Sequence, residues 1–241
     1  AHELTVVETN RRGHATSLAE QACQDGTEVV AVLAGDGTLN AAAQALLHSD
    51  CSLAPLPGGS TNVYARTVGY VNDPIEATGQ LLAALDHNQP RRVGVGQVNG
   101  RVFLCHAGIG FDAAVIEQVE KMHTLKRFFA HPLVVATAFD TWFRRYDHRH
   151  NRFRIRFASH DKIEDVAFVV ISKTSPYTYL GHRPIVLEDS VGLNTPLALT
   201  AFRSIEFRTI VPVTVSALAN GRVLRRHRRI IHRIGVEKLR I

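Results

Sequence analysis

The sequence predicts an α/β chain of two domains, and three observations carry that expectation. Strand-like and helix-like segments alternate through the first third, the pattern of a mainly parallel sheet with covering helices. Beyond Asn88-Gln89-Pro90 the texture changes to shorter β-rich runs. With 241 residues, 45% of them hydrophobic, the chain can bury a sizeable core and falls between one large domain and two modest ones. The expected organisation is an α/β domain over residues 1–90 and a β-rich, sandwich-like domain with helices over 91–241.

The elements follow in order. His2 to Thr9 reads as a strand, His14 to Gln24 as a helix, Glu28 to Leu33 as a buried strand, Leu39 to His48 as a helix and Ser52 to Leu56 as a strand. Val63 to Val68 is a short helix. Asp73-Pro74-Ile75-Glu76 then opens a helix to about Asp86: Asp73 suits the N-cap, Pro74 the first helical position, and Glu76 completes a capping-box spacing. Arg92 to Val98 and Arg101 to His106 read as strands joined at Asn99-Gly100, a strong hairpin signal. Helices are expected at about Asp112 to Met122 and Leu125 to Arg145, and strands at Phe153 to Phe157 and Val166 to Ser172. Phe207 to Arg229 fits either strand or helix.

Composition narrows the function classes. No run approaches eighteen apolar residues, and the first fifteen residues lack the layout of a signal peptide. Cys23, Cys51 and Cys105 lie far apart among small or apolar neighbours, which reads as reduced thiols of a cytoplasmic protein. The net charge of +6 is a property of the tail: residues 201–241 hold ten Lys/Arg against two acids, a local +8, which leaves −2 for the other 200. Such asymmetry points to an acidic partner.

Two glycine-rich turns carry the chemistry. Ala34-Gly35-Asp36-Gly37-Thr38-Leu39-Asn40 follows a strand and feeds a helix, an arrangement that presents backbone N–H groups and the positive helix end to an anion. Asp-Gly is also a common turn pair, so on those residues alone a turn and a site are both open. A carboxylate beside phosphates is repelled unless a metal intervenes or it takes a proton, so Asp36 argues for phosphoryl transfer over simple anion binding. Gly58-Gly59-Ser60-Thr61-Asn62 repeats the strand-turn-helix arrangement, and two such turns at the carboxyl ends of neighbouring strands form one crevice. Neither fits the Walker or the dinucleotide fingerprint.

The ordered set GDGTLN (Gly35 to Asn40), PLPGGSTNVYAR (Pro55 to Arg66), TNRRGH (Thr9 to His14), AGIGFDA (Ala107 to Ala113) and SPYTYLG (Ser175 to Gly181) resembles the diacylglycerol kinase catalytic-domain family. That family includes soluble bacterial lipid kinases and sphingosine kinases and is distantly related to NAD kinases; the similarity runs from about Val6 to about Phe202. The resemblance implies a Rossmann-like ATP-binding domain, a β-rich lipid-substrate domain, and an active site in the cleft between them. It implies ATP and Mg²⁺ as cofactors and a diacylglycerol-like lipid at a membrane surface as acceptor. Carried over residue by residue, Thr9, Ala34 to Asn40 and Gly58 to Asn62 would bind the nucleotide. Asp36 would organise Mg²⁺-ATP and act in catalysis, so that Asp36→Ala should stop transfer with limited loss of stability.

The chain departs from the family pattern in places. The usual first glycine of the first loop is Ala34, the Asn-Asp after the second is Asn62-Val63, an expected aspartate is replaced around Gly94, and a segment that in some members holds a structural metal reads Asn194 to Ala198. The family's opening Asn-Pro-x-(Ser)-Gly turn and its closing Asp-Gly-Glu segment, whose carboxylate is the proposed general base, have no counterpart in residues 1–241, so truncation at the carboxyl end is expected. Two alternatives stay open: a catalytically impaired nucleotide- or lipid-binding relative, and an NAD kinase-like enzyme with a soluble acceptor. The run Arg222 to Arg233 is a candidate for peripheral association with anionic lipid. It lacks the interleaved aromatics of a nucleic-acid site, so no nucleic acid is expected as a partner. The cluster Asp147 to His150 suits no common zinc spacing and reads as a solvated turn. A homodimer is left open.

Overall fold

The computed structural model describes residues 2–87, 90–110, 153–203 and 228–241. Its contacts divide the chain into two compact units, Ala1–Leu104 and Cys105–Ile241.

In the first unit, helix α1 (His14–Gln24) leads to strand β1 (Val29–Ala34), helix α2 (Asp36–Leu46), strand β2 (Ser52–Pro57), a short helix α3 (Val63–Thr67) and helix α4 (Pro74–Asp86). β1 and β2 pair in parallel, from Val29 opposite Ser52 to Ala34 opposite Pro57. Pro55 and Pro57 cannot donate to a further strand, which suits β2 to an edge. Ala19 of α1 and Ala42 and Leu46 of α2 pack together with Cys23, Val30, Val32, Cys51 and Leu53. The alanines let the helices approach closely, and the Thr16 hydroxyl donates to the Ala41 carbonyl at 2.7 Å. Each fully buried leucine, such as Leu39 or Leu46 here, contributes about 2 kcal/mol. Burial and the neighbouring Cys23 push the Cys51 thiol up to about 11, so it stays protonated; all three cysteines are free thiols.

The expected cap of α4 is present: the Asp73 carboxylate accepts from the Ile75 and Glu76 amides, both at 2.9 Å, and Pro74 opens the helix. The expected hairpin also forms, from β3 (Gly96–Val98) and β4 (Arg101–Phe103), with Asn99 and Gly100 at φ 48° and 80°. Both central residues have positive φ, as a type I′ turn requires. The strand expected at Arg92 begins only at Gly96, where the Phe103 ring of the facing strand fills the space a side chain would take.

Two sequence expectations need correction. His2 to Thr9 is exposed and forms no strand; alternating apolar residues make a strand only with a ladder partner, and none pairs with them among the described residues. The second helix begins at Asp36, not Leu39: GDGT is itself a helix start, with Gly35 in the extended N-cap conformation. Thr38 and Leu39 already return their amides to the Gly35 carbonyl, both at 3.1 Å.

The second unit is antiparallel. β5 (His106–Gly110), β8 (Phe168–Ser172), β11 (Leu197–Phe202) and β12 (Ile230–Val236) form one sheet in the order β12-β11-β8-β5. β6 (Phe153–Phe157), β7 (Lys162–Val166) and β13 (Leu239–Arg240) form another, with β6 central, and β9 (Thr178–Leu180) pairs with β10 (Arg183–Ile185). Val170, Leu187, Phe202 and Ile230 make the core here, with Phe168 stacked on Phe202 at 4.0 Å between ring centroids. The helices expected at 112–122 and 125–145, the cluster Asp147 to His150 and most of the segment 207–229 lie outside the described residues. Among the described residues, no helix is long and apolar enough to cross a membrane.

Candidate functional site

The two glycine turns meet within the first unit. The carboxyl ends of β1 and β2 are adjacent because Ala34 and Pro57 are register partners, and the chain leaves both strands on the same side. The Gly58 amide donates to the Ala34 carbonyl at 3.1 Å, extending the pairing past the strand ends. A methyl group at Gly58 would lie 2.7 Å from the Ala34 nitrogen, and one at Gly59 would lie 2.5 Å from the Gly35 Cα. Glycine at 58 and 59 is thus required for loop-to-loop packing. At Gly37 nothing of the protein lies within 4 Å of such a methyl group, and that glycine is exposed at the start of α2.

Asp36 fastens the two turns. Its Oδ2 accepts from the Val63 amide at 2.9 Å and the Thr61 hydroxyl at 3.3 Å, and its Oδ1 accepts from the Tyr64 amide at 2.9 Å. The carboxylate of one loop therefore caps the helix that follows the other, satisfying amides that the first turn of α3 leaves without partners. Asn62 closes the second turn on itself. Its side-chain oxygen accepts from the Gly59 amide at 2.7 Å, while its nitrogen donates to the Gly59 carbonyl at 3.0 Å and to Asn72 Oδ1 at 2.8 Å. Asn62 is buried and sits at φ 48°, a left-handed conformation that asparagine tolerates better than most residues.

The remaining candidates divide by what their groups do. Leu39 turns its side chain into the core. Asn40 spends its amide on β4, donating to the Val102 carbonyl at 3.2 Å and accepting from the Leu104 amide at 3.0 Å. Gln44, one turn further along α2, brackets Val102 from both sides, accepting from its amide and donating to its carbonyl, both at 2.9 Å. These bonds keep the hairpin in the first unit. Gly58, Gly59 and Ser60 are exposed, and Thr38 is half-buried in the first turn of α2. Thr9 is exposed in the irregular opening segment, with no hydrogen bond to either loop among the described residues. The sequence reading missed Val63, Tyr64, Asn72 and Gln44; the first two act through backbone amides and carry no residue-type signal.

The arrangement suits an anion at the amino end of α2. The first-turn amides of an eleven-residue helix lack intrahelical partners and carry its positive dipole end. Three donors hold the Asp36 charge toward α3, which lessens its repulsion of a neighbouring phosphate. No group of three His, Cys, Asp or Glu residues that could hold a metal ion is found among the described residues.

The stretch that matches known proteins in sequence includes both glycine turns. Residues 1–98 match the diacylglycerol kinase catalytic domain. The chain is 38% identical over 115 residues to a protein named "Probable lipid kinase YegS-like" from Pseudomonas aeruginosa PAO1, a match covering 47% of this chain and 36% of that relative. It is 30% identical over 111 residues to the diacylglycerol kinase of Bacillus subtilis strain 168, covering 45% of this chain and 36% of the relative. The matched stretch thus spans about a third of the length of these relatives. In fold, the chain resembles "A putative diacylglycerol kinase from Bacillus anthracis str. Sterne", with a TM-score of 0.67 and 19% identity over 97% of this chain and 73% of that one. Over residues 1–98, this chain is similar to the diacylglycerol kinase catalytic domain.

Proposed function

We propose that the chain is part of an ATP-dependent lipid kinase that transfers the γ-phosphate to a hydroxyl of diacylglycerol or a related lipid, with Mg²⁺ accompanying the nucleotide. The observation that supports this most directly is the fastening of the two glycine turns by Asp36 beside the free amino end of α2. In this reading the ATP phosphates lie against Gly35 to Thr38 and Gly58 to Ser60, where glycines leave room for close backbone approach. Leu39, Asn40, Thr61 and Asn62 hold those backbones in place. Ala34 meets the nucleotide only through its backbone, and Thr9 would reach it from the opening segment.

Bound ATP supplies the phosphoryl group, and the chain's own part is positioning and charge neutralisation, which dominate phosphoryl transfer. The α2 amides orient phosphate oxygens. Asp36 fixes the spacing of the two loops, and its remaining acceptor capacity would help to hold a metal that accompanied the nucleotide. The basic run Arg222 to Arg233 would draw the protein to anionic lipid.

Transfer of label from γ-labelled ATP to diacylglycerol in mixed micelles tests the reading. Labelled lipid is the expected product. ATP that still raises the melting temperature while no lipid is labelled would leave a nucleotide-binding relative, and label on a soluble acceptor instead would overturn the lipid assignment.

A further inference from the structure

The second unit carries a feature that the kinase reading does not use. β6 is the central strand of its sheet, and Arg156 on it is the register partner of Arg240 on β13 and of Lys162 on β7. Directly opposed residues of an antiparallel pair point to the same face with their Cβ atoms about 5 Å apart. The register therefore lines up three cations, Arg240, Arg156 and Lys162, across all three strands. Arg154, two residues from Arg156, adds a fourth beside them. All four are exposed, while the alternate residues Ile155 and Ile163 are buried on the other face.

Like charges directly opposed across strands oppose pairing, and little on this face offsets them. Glu164 is a carboxylate paired with the row. Its Oε1 is shared between Arg154 at 3.0 Å and Lys162 at 3.2 Å. The hydrogen bond from Lys162, then its charge and those of Arg154 and Arg156, hold the Glu164 carboxyl below the usual range. Arg156 and Arg240 have no ion pair among the described residues. Phe153, Arg154, Arg156, Arg240 and Ile241 line a shallow depression of about 400 Å³. Phe153 is half-buried there and Ile241 is 38% exposed.

We propose that the outer face of β13-β6-β7 is a docking surface for the anionic headgroups of a phospholipid bilayer. An excess of positive charge set directly strand to strand calls for phosphate between the guanidinium groups, which bind phosphate oxygens in pairs. A nucleic-acid site would place exposed aromatics among the cations for stacking, and none of the described residues lined up with them on this face is aromatic. None of these residues lies in the run 222–233, and the assignment does not depend on the kinase reading.

Sedimentation of the full chain with phosphatidylcholine vesicles, with and without phosphatidylglycerol, tests the surface. Binding is expected only to the anionic vesicles and should weaken as salt rises. Each cation near such a membrane adds about a fivefold gain in partitioning, so Arg156→Gln with Arg240→Gln should lower it about twenty-five-fold. Glu164→Gln should raise it about fivefold for the same reason. Circular dichroism confirms that the exposed substitutions leave the fold intact, and the opposite signs of the two variants separate docking from general damage. Equal binding to neutral vesicles overturns the proposal. So does unchanged binding by the double variant when neutralising Arg225 to Arg229 abolishes it, or binding of single-stranded DNA in place of either vesicle.

Discussion

The Tyr64 amide donates to Oδ1 of Asp36 at 2.9 Å while its neighbour Val63 donates to Oδ2, so a carboxylate at the head of one helix caps the head of the next. This changes what removing the carboxylate should do. The sequence alone leads to the expectation that Asp36→Ala stops transfer with little loss of stability. With three hydrogen bonds to a charged group at stake, the fold should lose about 2 kcal/mol as well, and Asp36→Asn, which sets an NH₂ against amide donors, should be nearly as costly. Urea unfolding checks it; a midpoint unchanged in both variants would refute the fastening role.

Gly59 and Gly37 should respond oppositely to the same methyl group. At Gly59 it would meet the Gly35 Cα at 2.5 Å, backbone against backbone, so the loops must part. Gly59→Ala should cost about 1–3 kcal/mol and remove ATP binding with it. At Gly37 the protein leaves the space open, and Ala is the better helix residue, so Gly37→Ala should gain about 0.5 kcal/mol. If phosphate lies against this turn, ATP affinity should nonetheless fall at least about tenfold, the equivalent of 1.4 kcal/mol. Isothermal titration alongside thermal unfolding separates the two; undiminished affinity in a stabilised Gly37→Ala would move the phosphate elsewhere.

How far the sequence reveals this architecture depends on whether the signal is local. The α4 cap and the Asn99-Gly100 hairpin were legible because each is encoded by two or three adjacent residues acting on their own backbone. The pairing of the glycine turns was legible as order along the chain, since parallel strands bring their carboxyl ends together. What Asp36 does was not: its partners are backbone amides 27 and 28 residues away, and an amide leaves no mark on residue type. His2 to Thr9 misled for the complementary reason, because alternation reports a face suited to burial and says nothing of whether a partner strand is present. The cation row needed the register of β13, β6 and β7, which no spacing in the sequence fixes.

Asn40 and Gln44 should prove to be positioning residues. Both sit on one face of α2 and together form five hydrogen bonds, four of them to the backbone of β4 and Leu104. Gln44→Ala strands the Val102 amide and should cost about 1–2 kcal/mol. Asn40→Ala should cost about as much and speed hydrogen exchange at the Leu104 amide. If instead Asn40 touches nucleotide directly, its substitution would lower ATP affinity more than Gln44→Ala does at equal stability loss, a contrast that titration of both variants reads out.

Lys173 should leave a signature in the alkaline limb of the stability curve. Its ammonium is buried and donates to the carbonyls of Gly192, Leu193 and Thr195 at 3.1, 3.1 and 2.6 Å, pinning the segment before β11. Burial lowers its pKa from the ordinary 10.5. A lysine that gives up its proton more readily when folded binds fewer protons in the native than in the unfolded state, so this site's contribution rises with pH. The rise begins at the lowered native value and ends near 10.5; below that window the cost of burying the charge is present in full. Lys173→Met removes both the charge and the three bonds. It should leave three carbonyls without donors and cost about 2 kcal/mol near neutral pH. The difference in unfolding free energy between wild type and Lys173→Met should then widen through the alkaline window, because only the wild type is relieved of the charge there. A difference that stays constant with pH would mean that Lys173 titrates alike in both states.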